Sequence, residues 1–265
     1  MLTDDPVLTL GIVRIVVALG AGLLSGFINT IAGNGSAITL PMFVFLGLDA
    51  TTANGTNRVG VMAGALMGTR TFIRSGTLEA HGIGWMIGPC IAGAVVGATT
   101  ASFTAPKAME GIIVSVMFVM LALVLLRPQR WLEESTDPQR QYQKISRILI
   151  FFLIGFYGGF VQAGVGILLL AGLVLNAGYG MVKANAIKVV IVLVLTVPAL
   201  IIFAIRGQVH WPLGALVACS QGAGAWLAAN YAVRYSQANV WIRRLLIFMI
   251  LVAIAKLSWP WLVQG

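Results

Sequence analysis

Charge is what this chain has least of. Of its 265 residues 9% are charged and 59% hydrophobic, and the mean hydropathy is +0.95. A soluble globular domain carries about 25% charged residues, so water is not the main solvent here and the chain reads as an integral membrane protein. Acids are scarcer still. The eight (Asp4, Asp5, Asp49, Glu79, Glu110, Glu133, Glu134 and Asp137) all lie outside the apolar interiors. Cation carriers usually hold an intramembrane carboxylate, and none is seen. The two cysteines, Cys90 and Cys219, sit in apolar runs and read as small buried residues, indicating neither a disulfide framework nor a zinc site. His81 and His210 fall in short loops and read as interfacial. No H-E-x-x-H, G-x-S-x-G, S-x-x-K or Walker A sequence occurs, so neither an enzyme nor a cofactor or metal site is expected. The acidic start "MLTDDP" does not resemble the basic n-region of a signal peptide. The net charge of +9 is scattered at segment ends, where the positive-inside rule explains it better than nucleic-acid binding does.

What is present is a succession of apolar runs, at about 7–31, 36–48, 55–73, 81–104, 107–126, 145–163, 167–177, 184–205, 211–234 and 239–263. A helix needs roughly 20 residues to cross the hydrocarbon core, and eight runs reach that length. The runs at 36–48 and 167–177 do not, and such short stretches are more often re-entrant or discontinuous. Unbroken apolar runs exclude the alternation of barrel strands. The fold class is therefore all-α integral membrane, with about eight long and two short helices.

The one clearly hydrophilic stretch, Arg127 to Lys144, splits the chain near its middle. An offset of 131 then pairs Gly35 with Gly166, Gly47 with Gly178, Ala53-Asn54 with Ala184-Asn185, Gly76 with Gly207 and Gly93 with Gly224. Several matches at one offset mark a repeat: residues 1–126, a linker at 127–144, and residues 145–265. Arg70, Arg74, the five basic residues in or bordering the central loop, Lys183, Arg234, Arg243 and Arg244 fall on one side if connections alternate. That side should be cytoplasmic, with both termini on the other. Each half then reverses the chain's side, so the repeats are inverted, as in many secondary transporters.

Polar residues interrupt both halves at corresponding places: "NTIAGNGS" (Asn29 to Ser36) with "QAGVG" (Gln162 to Gly166), and "ANGTNR" (Ala53 to Arg58) with "ANAIK" (Ala184 to Lys188). Glycine permits φ > 0, so a Gly-x-Gly readily ends one helix and starts another. A helix start deep in the membrane presents free N–H groups and a positive dipole end, which favour an anion. Arg58 and Lys188 add positive charge without an acid nearby in sequence. A competing account makes both snorkelling residues near segment ends, and Arg14 and Lys256, which lack repeat partners, fit that better. Glycines spaced by four, at 22/26, 64/68, 84/88, 93/97 and 155/159, read as close helix packing.

The stretch Gly22 to Gly60 resembles the first half of the TauE/SafE family, the sulfite exporter or TSUP group of membrane permeases. It carries a Gly-rich helix break at Gly33 to Gly35, then Pro41, then Ala53-Asn54-Gly55-Thr56. The second half resembles that family through "GFYGGFVQAGVG" (Gly155 to Gly166), Ala184-Asn185 and "RGQVHW" (Arg206 to Trp211). It departs where Ala186-Ile187 replaces a frequent Gly-Thr, and where Asn34 stands between the glycines of the first break. The resemblance implies an inner-membrane permease for a small anion, often sulfur-containing: sulfite, sulfoacetate or another organosulfonate. The expected site comprises Gly33, Asn34, Gly35, Ser36, Gly164 and Gly166 of the breaks, with Asn54, Thr56, Asn57, Arg58, Asn185 and Lys188. Asn29 and Gln162 are further members. The expected partners are the anion, the bilayer and, as a candidate coupling ion, the proton. The oligomeric state is not fixed by the sequence. Two other classes stay open at this point, a membrane-embedded accessory protein that moves no solute and a cation permease.

Overall fold

The structure, a computed structural model, describes residues 11–78, 83–126 and 144–234. Glycine sets the main turns between its helices. Positive φ occurs at Gly33 (74°), Gly47 (102°), Gly76 (68°), Gly164 (72°), Gly178 (74°) and Gly207 (67°). These six form three pairs separated by 131 residues, so the two halves turn at matching places in a conformation that a Cβ disfavours.

Between the turns run α1 (Ile12–Ala32), α2 (Ser36–Phe45), α3 (Ala50–Arg74), α4 (Gly84–Ser102), α5 (Pro106–Leu126), α6 (Lys144–Phe160), α7 (Val165–Ala171), α8 (Met181–Ile205) and α9 (Trp211–Arg234). All are α-helical, and a single π-helical turn (Gly172–Asn176) extends α7. The two short runs are short helices, as expected. Helix α3 and helix α8 have the same length and the same 131-residue spacing at both ends. Arg14–Ala32, Gly84–Ser102 and Val182–Ile205 are, by length and composition, apolar enough to cross a membrane. Helix α3 is as long as α8 but carries Thr, Asn, Gly and Arg, and it buries Thr51, Asn54, Thr56, Asn57, Arg58 and Thr69 inside the protein. The expected tenth segment, 239–263, lies outside the described residues, as do His81, Lys256 and most of the linker.

Packing follows the small residues. Along α1 and α9, a Cβ on Gly26 would strike the backbone of Gln221, and one on Gly224 the backbone of Leu23. Along α4 and α6, Gly93 and Gly97 meet the Phe152 and Phe156 backbones, while Gly155 and Gly159 meet those of Cys90 and Ala94. Without a hydrophobic force between helices in lipid, such close backbone approach supplies the van der Waals contact that holds them together. The pairing α1–α9 mirrors α6–α4, and α3–α9 mirrors α8–α4, with α3 and α8 in contact at the centre. Each half thus lends its fourth helix to the first helix of the other.

Two expectations fail on the surface. Gly84 and Gly88 have nothing within 4 Å of an added Cβ, so that pair packs against no other described helix. Cys219 is exposed, because it lies on the outward stripe of α9 with Ala215, Ala223 and Trp226. Cys90 is buried as expected, its Sγ–H directed at the Phe151 carbonyl. Arg14 is exposed, in keeping with its reading as a snorkelling residue.

Candidate substrate site

The two helix breaks touch. Helix α1 ends where Gly33 turns left-handed and its N–H closes on the carbonyls of Ile28 and Asn29. Helix α6 ends at Phe160, and Gly164 makes the matching turn before α7. The Gly166 N–H donates to the Gly33 carbonyl across 3.2 Å. A Cβ on either residue would overlap the backbone of the other, so only glycine allows this approach.

Helix α2 begins beside that crossing with no side-chain cap, and every residue from Ser36 to Phe43 is buried. Its Ala37 and Ile38 N–H groups are taken by the carbonyls of Asn34 (3.2 Å) and Gly35 (3.0 Å), which leaves those of Gly35 and Ser36 as the donors at this end. Asn34 and Gly35 precede it. The Asn34 side chain is fully buried, and neither its Oδ1 nor its Nδ2 meets a protein partner. Ser36 faces α3, where its Oγ accepts from Asn57 Nδ2 (3.0 Å), while Thr39 Oγ1 donates to Asn57 Oδ1 (2.5 Å).

The two cations cross between halves. Arg58, on α3, is fully buried and reaches the last turn of α6. One terminal nitrogen donates to Gly158 O (3.1 Å) and Gln162 Oε1 (3.0 Å); the other donates to Gly159 O and Phe160 O. Its guanidinium also lies 4.7 Å from the centre of the Phe203 ring. Asn54 Nδ2 joins the same turn by donating to Phe160 O (2.7 Å). Lys188, on α8, reaches the last turn of α1: Nζ donates to Thr30 O (2.8 Å), Asn29 O (3.3 Å) and Asn185 Oδ1 (2.5 Å). Each cation therefore neutralises the negative dipole end of the broken helix in the opposite half. An ammonium has three donors, so Lys188 is fully engaged. Arg58 keeps one buried donor, Nε, without a partner.

Gln162 joins these parts. It is the one non-glycine residue with positive φ among those described (67°). Such a conformation costs of order 1 kcal/mol or more and persists where surroundings over-determine it. Here the carboxamide is held at both ends, accepting from Arg58 and donating to Thr196 Oγ1 (2.6 Å). Thr196 in turn donates to Val192 O. A cavity of about 10 Å³ beside Lys188, lined by Asn29, Thr30, Ala65, Val189 and Val192, has room for a single water.

The expected residues thus fall into two groups flanking the glycine crossing. Asn54, Arg58 and Gln162 gather at the end of α6; Asn29, Asn185 and Lys188 gather at the end of α1. Thr56 belongs to neither, because its Oγ1 accepts from the His210 N–H (2.9 Å) at the start of α9. Sequence reasoning missed Ser25, Thr39, Thr196 and Gln221, all buried polar residues. A polar side chain midway along an apolar run was the available signal for Thr196 and Gln221. The acids among the described residues are Asp49, the N-cap of α3, and Glu110; neither is buried. No group of three or more His, Cys, Asp or Glu that could hold a metal occurs among the described residues.

A family model described as "Sulfite exporter TauE/SafE" matches residues 18–257. Similar chains include a "Probable membrane transporter protein ORF9" of Sinorhizobium sp (29% identical, covering 80% of this chain and 81% of the relative). A "Probable membrane transporter protein" of Haemophilus influenzae is 24% identical over 94% of this chain and 96% of its own. The Escherichia coli K12 "Probable membrane transporter protein YfcA" is 25% identical over 89% and 86%. No solved structure matches.

Proposed function

The chain belongs to the sulfite exporter TauE/SafE family, whose relatives here are named membrane transporters rather than enzymes, and we propose that this transporter carries a small, sulfur-containing oxyanion through the crossing of its two helix breaks. The observation that carries the proposal is Asn34. A fully buried carboxamide without a protein partner stands at the uncapped start of a helix that is buried from Ser36 to Phe43. A buried polar group left unpaired costs about 1–3 kcal/mol, so an uncommitted amide here is poised for a ligand. The helix start supplies N–H donors and a positive dipole end, and Asn34 Nδ2 adds a donor suited to an oxyanion. Among the described residues Arg58 and Lys188 have no compensating acidic side chain, which favours an anion over a cation.

In this mechanism residues 1–126 and 145–265 are inverted repeats. The anion exchanges water for the Gly35 and Ser36 N–H groups, Asn34 and the free Arg58 Nε–H. The halves then rock about the Gly33–Gly166 contact to open the site to alternate sides. In this reading the linker is cytoplasmic and both termini lie outside an inner membrane, which the excess of basic residues on one side of the spans supports.

Thermal unfolding of the purified protein against sulfite, sulfoacetate, acetate and potassium ions, with uptake in proteoliposomes, tests the reading. A transported oxyanion should stabilise by about 2.7 kcal/mol at 100 times its Kd. Asn34→Leu should abolish both the shift and the uptake while leaving the apo protein as stable as wild type. Neither a shift nor uptake with any anion would overturn it.

A further inference from the structure

We propose that Gln221 of α9, with Ser25 of α1, completes the substrate site by hydrogen-bonding the anion from the side facing Asn57. Gln221 is 1% exposed, yet neither its Oε1 nor its Nε2 has a protein partner; Ser25 Oγ, fully buried, has none either. With the two orphan atoms of Asn34, five unpartnered polar atoms lie on three side chains, one on α1, one on α9 and one in the turn into α2, and α1 packs against both α9 and α2. The links are short. A Cβ on Gly35, next to Asn34, would fall 2.8 Å from Ser25 Oγ. A Cβ on Gly26, next to Ser25, would strike the Gln221 backbone. Gly60 and Gly64 of α3 make room for the Gln221 side chain, since a Cβ on Gly60 would overlap Oε1 and one on Gly64 would lie 3.4 Å from its Cγ.

Positions 57, 60 and 64 share one face of α3, because residues three and four apart on a helix are neighbours. Gln221 therefore addresses the face whose Asn57 bonds Ser36 at the start of α2. Packing alone would place an apolar side chain at 221, as at the neighbouring buried Val217, Ala225 and Ala228. Replacing an unsatisfied buried amide with a same-sized apolar group is neutral or stabilising. A glutamine in this place gives up stability for a donor and an acceptor, which suits a partly protonated or hydrated oxyanion. Specificity would follow, since a site built around hydrogen-bonding groups rejects analogues that leave them unpaired.

This inference rests on the oxyanion reading above. The test uses the full-length protein in proteoliposomes, with whichever of sulfite, sulfoacetate and acetate the wild type takes up fastest as the probe. Gln221→Leu should raise KM at least about tenfold, the order of one hydrogen bond to a charged group. Its Tm without anion should equal or exceed that of wild type. Ser25→Ala should raise KM in the same direction, and Gln221→Asn by less than Leu; these two carry the test if Gln221→Leu does not fold. An unchanged KM in a transporting background overturns the assignment, and an unchanged KM with a lowered Tm makes Gln221 a packing residue instead. Wild-type protein that moves none of the anions overturns the underlying reading, and this one with it.

Discussion

Gly33 and Gly166 lie backbone to backbone, joined by the Gly166 N–H on the Gly33 carbonyl, although 133 residues of chain separate them. Each ends or begins a broken helix, and each lacks the side chain that would push the breaks apart.

Gly166→Ala should therefore damage the protein more than an ordinary helical Gly→Ala change. Overpacking of this kind costs about 1–3 kcal/mol. At Gly33 the left-handed φ of 74° adds its own penalty. Both variants should lower Tm and reduce uptake. Gly88→Ala is the control, because nothing lies within 4 Å and a helical alanine gains up to about 1 kcal/mol. Equal effects at positions 88 and 166 would show that the crossing is not tightly packed.

Arg58→Lys should not be conservative. The fork spans carbonyls of Gly158, Gly159 and Phe160 together with the Gln162 side chain. An ammonium cannot present that planar array. We expect a loss of about 2–4 kcal/mol from leaving buried acceptors unpaired, read by denaturation in detergent. Wild-type stability for Arg58→Lys would mean that one of those bonds suffices.

Lys188 and Asn185 should couple. Lys188→Met strands three acceptors, whereas Asn185→Leu removes only one of them. A double-mutant cycle on Tm-derived stability should return an interaction of about 0.5–3 kcal/mol. Additivity would place the value of Lys188 wholly in its bonds to the α1 carbonyls.

Thr56→Val tests the separation of Thr56 from the transport path. Its hydroxyl holds the His210 N–H, so the expected loss is about 1 kcal/mol of stability with KM unchanged. A raised KM would return Thr56 to the site.

Topology has an independent check. In a protein with Cys90 and Cys219 replaced by serine, Ser135→Cys in the linker should escape a membrane-impermeant maleimide in intact cells. It should react in inside-out vesicles. The opposite pattern would invert the proposed orientation.

The sequence by itself determined where the helices break and which residues are forced inside. Left-handed turns at Gly33, Gly47, Gly76 and their counterparts are local choices, fixed by whether a Cβ is present. The short runs at 36–48 and 167–177 announced themselves by length, and Arg58 and Lys188 by charge within apolar surroundings. What the cations touch was decided by tertiary structure alone. Arg58 and Lys188 looked like free ligands for an anion, yet Lys188 wholly, and Arg58 in all but Nε, is occupied at the end of a helix 100 or more residues away in sequence. Thr56 turned toward His210 for the same reason, and Gln221 gained its place only because Gly26, Gly60 and Gly64 surround it. Such partners depend on the rotation and register of helices packed against one another. No local preference encodes that, since the apolar and small side chains of a membrane helix can face protein or lipid equally well until its neighbours are in place.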